Sequence, residues 1–240
     1  MSRPRILLVP TVTEVEWKIK PAIAEWADVA SYDAPGVGDE PMTEPTIEAI
    51  VARGLDEIDR RGWERCVIVG DEIGAAQAAR IAGERPAAVR ALVMGHPALD
   101  FNAGGRRPTL NPEIRDVLLQ LGRTDYRSYV RALSQVTKDA YDEELANAYM
   151  DRVSHNLTEA YVEEFFGRAE RIDLLPTLRR VEAPILLVEH SGCLMWTRES
   201  FEDAIAALPD AVRTSVDQKP SVNPAFEAVL RDFVEGLPGE

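Results

Sequence analysis

Histidine and cysteine are scarce in this chain, with three of the one and two of the other in 240 residues. The cysteines, Cys66 and Cys193, form no CxxC pair and no disulfide framework. That excludes a stapled secreted scaffold and points to a reducing, cytoplasmic setting. The histidines, His96, His155 and His190, are scattered and make neither HxxxH nor HxE, so their spacing gives no reason to expect a metal. Positive charge is short as well: 27 Lys and Arg against 41 Asp and Glu leave a net charge of -14. Such a surface repels phosphate backbones and anionic lipid, which argues against nucleic acid and membranes as partners. No apolar run approaches the ~20 residues of a membrane-spanning helix, and the about five apolar residues before Pro10 are too few for a signal-peptide core. The glycine-rich "NAGGRRP" lacks the Gly-Lys-Ser/Thr ending of a phosphate loop, so no nucleotide cofactor is expected.

What is present is a globular composition, 45% apolar, arranged in a repeating order. Short, wholly apolar runs alternate with helical patterns, as in parallel strands joined by crossover helices. The strand candidates are Ile6–Val9, Val29–Tyr32, Cys66–Val69, Ala91–Met94, Ile185–Val188 and Val212–Val216. Helical segments fall around Trp17–Trp26, Thr46–Arg61, Glu72–Ala82, Arg198–Leu208 and Pro224–Val234. The expected core is a doubly wound, mainly parallel α/β sheet of about six strands.

Between Asp100 and Arg180 the rhythm stops, and only helical patterns remain: Asn111–Leu121, Asp125–Val136, Asp142–Val153 and Thr158–Arg171. The first three open on side chains that accept hydrogen bonds from free helix-start amides. An insertion of this length reads as a helical cap rather than a loop, which divides the chain into a core, residues 1–100 and 181–240, and a cap, residues 101–180. The cap holds five of the six tyrosines, Tyr126, Tyr129, Tyr141, Tyr149 and Tyr161, with Phe165 and Phe166. They serve either as helix-packing core or as the lining of an apolar ligand pocket.

The stretch "VIVGDEIGAAQ", Val67 to Gln77, is the most informative in the sequence. Two glycines four apart, Gly70 and Gly74, follow a strand and flank a residue that such a turn forces into strained geometry. The spacing matches the Gly-x-Ser-x-Gly nucleophile turn, and Ala75, Ala76, Ala78 and Ala79 let the next helix pack close. Four other segments agree in order: "RILLVP", "SYDAPGVGDEP", "APILLVEHSG" and "NPAFEAVLRDFV". Together they resemble the α/β-hydrolase superfamily over the whole expected core, with the helical insertion where that superfamily carries its cap.

The resemblance implies a hydroxyl nucleophile, a base and an orienting acid, and the matching positions lack all three. Glu72 stands in place of the serine, Gly192 or Cys193 at the acid position, and Asp217–Gln218 near the histidine position. Ordinary Ser-His-Asp ester hydrolysis is therefore not expected. Three readings of Glu72 stay open. It is a covalent carboxylate nucleophile, as the Asp is in the resembling haloalkane dehalogenases and epoxide hydrolases; or a general acid or base, with the backbone amides of Ile73 and of Thr11 or Val12 stabilising an anion; or a relic in a non-catalytic ligand-binding or interaction protein. His96 and His190 follow strands and are the candidate partners for Glu72, at the sheet edge where such folds bind ligands. Trp17, Trp196 and Cys193 are the candidate walls of a pocket for a small, largely apolar organic molecule. His155 reads as surface or packing, and Arg106–Arg107 as a solvated loop pair. No cofactor is implied, and a homodimer is the assembly left open.

Overall fold

The computed structural model describes residues 3–10, 17–38, 40, 46–97, 111–136, 143–152 and 173–238. Its centre is a sheet of six strands in which every described pairing is parallel: β1 (Arg5–Val9), β2 (Asp28–Ser31), β3 (Cys66–Asp71), β4 (Val89–Gly95), β5 (Ile185–His190) and β6 (Val212–Val216), in the order β2-β1-β3-β4-β5-β6. Between strands run α1 (Lys20–Trp26), α2 (Ile47–Arg60), α3 (Ile73–Glu84), α4 (Pro112–Thr124), α5 (Tyr126–Val136), α6 (Glu143–Arg152), α7 (Leu175–Leu178) and α8 (Arg198–Ala207). Helix α9 (Pro224–Glu235) follows β6.

The apolar runs form strands because both faces of this sheet are covered, so both sets of alternating side chains are buried. Leu7, Val9, Ile68, Leu92, Met94 and Leu187 join one buried cluster together with Ala75, Ala79 and Ile81 of α3. Ile6, Leu8, Val67, Val69, Ala91, Val93, Leu186 and Val188 join the other, with Ile23 of α1 and Phe226, Leu230 and Val234 of α9. Caps start the helices where oxygen-bearing side chains stand: Thr46 accepts from the Ala49 amide at 3.1 Å, and Asn223 from the Ala225 amide at 2.9 Å.

Boundaries moved in instructive ways. β3 runs beyond the apolar Val69 through Gly70 and Asp71, because these pair with Met94 and Gly95 of β4. β2 begins at Asp28, whose amide donates to the Pro4 carbonyl at 2.8 Å.

In the insertion, α4 is capped by Asn111, which accepts from the Glu113 amide at 3.1 Å, and Asp125 at the head of α5 accepts from the Ser128 hydroxyl at 2.6 Å. Leu118, Tyr129 and Val130 lie in the same buried cluster as Met195, Trp196 and Phe201, and the Asn111 amide donates to the Met195 carbonyl at 2.9 Å. The helical pattern over Thr158–Arg171 lies outside the described residues, as do Thr11, Val12, Arg106, Arg107, Tyr141, His155, Tyr161, Phe165 and Phe166. So do the side chains of Tyr126 and Tyr149. Among the described residues, no helix is long and apolar enough to cross a membrane.

Candidate functional site

The register sets the C-terminal ends of β3, β4 and β5 level with one another, since Asp71 pairs with Gly95 and Gly95 with Val188. Any side chain emerging just beyond them is gathered on one rim. Glu72 emerges there on a backbone at φ 50° and ψ -115°, outside the regions favoured by L residues. Its amide donates to the Gly95 carbonyl at 2.8 Å and its carbonyl accepts from the Ala75 amide at 3.1 Å, which fixes the reversal from strand to helix. The flanking glycines are required by contact: a Cβ on Gly70 would lie 2.2 Å from the Gly74 carbonyl oxygen, and one on Gly74 would lie 3.0 Å from that of Val9.

Both carboxylates of the turn are buried, Asp71 at 2% and Glu72 at 3% exposure. Each is answered from the loop between β6 and α9. The Ser221 amide donates to Asp71 Oδ2 at 3.3 Å, and Lys219 Nζ lies 3.5 Å from Glu72 Oε2. Asn223 shapes that loop: besides capping α9 it donates through Nδ2 to Asp217 Oδ1 at 3.1 Å and to the Gln218 carbonyl at 3.5 Å. The loop between β6 and α9 thus brings an ammonium group to the carboxylate of the turn. Lys219 was not singled out by the sequence, which named Asp217–Gln218 in this segment. The signal was a lysine one residue further on, followed by proline.

The other carboxylate oxygen of Glu72, Oε1, faces Cys193, whose Sγ is 3.9 Å away. Burial, and then the Glu72 charge, push the Cys193 thiol far above its ordinary range. One donor atom each from Glu72, His190 and Cys193 fall within 4.8 Å of one another, a set that no sequence spacing announces. Ile73 opens α3 directly after Glu72.

His96 and His190 are both buried and end up side by side, their ring centroids 6.4 Å apart at 86°. The His190 amide donates to His96 Nδ1 at 3.1 Å, so His96 Nδ1 acts as an acceptor. The His96 ring lies 6.4 Å from Trp196 and 5.8 Å from Phe201, and its backbone has φ 39°. The structure separates the two tryptophans. Trp196 belongs to the cluster beside His96, whereas Trp17 lies in the cluster on the α1 and α9 face, its Nε1 donating to the Val9 carbonyl at 3.3 Å.

Burial, helped by His190, pushes His96 down from 6.5 to about 4. A ring that resists protonation when folded but accepts it when unfolded stabilises the fold fully above the unfolded value and progressively less below it. Unfolding is therefore expected to become easier between pH 6.5 and 4, by up to ~3 kcal/mol from this group. His96→Asn, a residue that tolerates positive φ, is expected to flatten that slope in urea titrations. An unchanged slope would remove His96 as its cause.

No family model matches the sequence, and no curated protein matches it. Solved structures do. A hydrolase from Oleispira antarctica superposes at TM-score 0.80 with 13% identity, over 98% of this chain and 92% of that one. A bromoperoxidase from Bacillus anthracis gives 0.80 at 14% identity, with the same 98% and 92% coverage. The chain has the α/β-hydrolase fold. An enol-lactonase from Burkholderia xenovorans LB400 agrees at TM-score 0.75, 19% identity and 98% and 92% coverage. In this hydrolase-fold chain the strained turn after β3 carries a carboxylate, and the loop before the closing helix carries a lysine.

Proposed function

We propose that this protein is an enzyme that has kept the strained turn of its fold and carries out proton transfer there with a Glu72–Lys219 pair, acting on a small, largely apolar organic molecule. The observation that carries this is the buried ion pair at 3.5 Å on a residue held at φ 50°. Strain of this kind costs ~1–3 kcal/mol and persists where the surroundings enforce it, characteristically at functional sites. The Glu72 carboxylate accepts a proton from a substrate carbon acid or from a water. Lys219 Nζ and the Ile73 amide stabilise the anion that develops, and Glu72 returns the proton on the way to product. His190, beside Glu72, orients or relays. Residues 101–180 form the cap, a role supported by the burial of Leu118, Tyr129 and Val130 with Trp196. The usual products of the fold's ester chemistry are not expected, because Glu72 replaces the hydroxyl nucleophile.

A second reading is a ligand-binding protein without turnover. It is favoured by how closed the pair is, with side-chain exposures of 11% for Lys219 and 4% for Glu72. A turnover screen of esters, lactones, epoxides, haloalkanes and carbon acids, with wild type and Glu72→Gln side by side, separates the two. The proton-transfer reading expects kcat/KM to fall by about 100- to 10,000-fold in the variant. Equal turnover would remove Glu72 from the mechanism, and a tightly retained ligand with no turnover would establish the binding protein. An adduct on Glu72, seen by mass spectrometry during turnover, would shift the carboxylate from base to nucleophile.

A further inference from the structure

Glu72, His190 and Cys193 come from three different places, the turn after β3, the last position of β5 and the loop beyond it, and bring an oxygen, a nitrogen and a sulfur donor together, the first two residues buried and Cys193 partly so. We propose that these three side chains form a binding site for a single divalent ion of the zinc class, held through Glu72 Oε1, a His190 ring nitrogen and Cys193 Sγ, with a fourth position for water or a ligand.

The donor chemistry selects the ion. A thiolate with an imidazole favours zinc and its first-row neighbours over magnesium or calcium, which take oxygen ligands. Zinc binds sulfur at about 2.3 Å and nitrogen or oxygen at about 2.0–2.2 Å, so the ligands of a tetrahedral centre lie roughly 3.3–3.7 Å apart. The spread of 4.8 Å seen without an ion exceeds that by about an ångström, within the reach of the Cys193 and Glu72 torsions.

The surroundings suit the ion as well. Lys219 engages Oε2 at 3.5 Å while Oε1 faces the sulfur at 3.9 Å, so the two oxygens of Glu72 have separate duties. A partner of this kind behind a ligating carboxylate orients it. His190 is held in turn by the bond from its own amide to His96 Nδ1. On binding, the Cys193 thiol releases its proton to solvent and the sulfur becomes an anionic ligand. The ion's two positive charges then meet one negative charge from Glu72 and one from Cys193, leaving Lys219 as the single net charge of the cluster.

A bound ion makes Glu72 a ligand and takes it out of proton transfer. That inhibition rests on the acid–base reading of the previous subsection, but the binding does not.

The test uses the full chain, stripped with a chelator and titrated anaerobically with cobalt(II). One equivalent is expected to bind, giving a thiolate-to-cobalt charge-transfer band in the near ultraviolet and ligand-field absorption of tetrahedral strength, both removed by zinc. In Cys193→Ala, with its fold checked by circular dichroism, the band is expected to vanish and binding to weaken about 100-fold or more. In Cys66→Ala the band should remain. Absence of saturable uptake, or a band that survives Cys193→Ala, would overturn the proposal. Failure of the acid–base reading looks different: the cobalt band forms as described, yet metal-free protein and Glu72→Gln turn over alike.

Discussion

Gly70→Ala is expected to cost roughly 3 kcal/mol or more, or to prevent folding outright. The added Cβ would lie 2.2 Å from the Gly74 carbonyl oxygen, 2.5 Å from the Gly74 carbonyl carbon and 2.8 Å from Ala75 Cα. All three are backbone atoms of the first turn of α3, which sits directly against the end of β3 and has no side chain to swing aside. Relief would require the helix to lift away, and ten of its residues, including Ala75, Ala79 and Ile81, are buried. Gly62 is the matched control. A Cβ there meets nothing within 4 Å, and the position pays only for its φ of +63°, about 1 kcal/mol for alanine. Urea midpoints of the two variants should differ accordingly. Similar losses at both positions would mean that the close docking of α3 on β3 is wrong.

Lys219→Met is expected to destabilise the protein by about 3 kcal/mol near neutral pH. The methionine fills most of the lysine's volume, so the loss is electrostatic: Glu72, 3% exposed, keeps its burial and loses its cation. Replacing both members, in Lys219→Met/Glu72→Gln, is expected to recover most of that loss. A neutral pair needs no compensation, and buried ion pairs exchange for neutral residues at little net cost. The signature is thus a strong negative departure from additivity in a double-mutant cycle. Additive single effects would show that the 3.5 Å approach is not an energetic pair. The same double variant should have no proton-transfer activity, so stability and function would part company at one site.

Much of this architecture is legible without coordinates. Strands buried on both faces read as unbroken apolar words, such as "ILLV" at Ile6–Val9 and "ILLV" at Ile185–Val188, and a helix pattern between each pair requires a parallel crossover. The turn at Glu72 is legible because glycines at Gly70 and Gly74 have one steric purpose. The end of β3 is harder to read: Gly70 and Asp71 carry no apolar signal and are strand only because β4 lies alongside. Lys219 was missed for a related reason. A lysine in a polar loop reads as solvent-facing, and only the approach of that loop to the turn gives it a buried partner. His96 was legible as a rim residue but not in its detailed role. Which atom accepts the His190 amide depends on the left-handed corner at His96, and nothing in "MGHP" distinguishes a ring facing Glu72 from one facing Trp196 and Phe201.

Asp71 and Ser221 meet across a separation of 150 residues, and the adjacent Glu72 and Lys219 meet across nearly the same span. The two acidic side chains of one turn are therefore answered together, by one short stretch of chain, late in the sequence. Contacts of such range form slowly, after local ones. The strands that carry the turn, β1, β3 and β4, are paired through residues no further along than Gly95. Their ladder is complete before the answering loop is reached. A change to the Lys219–Ser221 stretch therefore reaches both carboxylates at once without touching any pairing of that ladder.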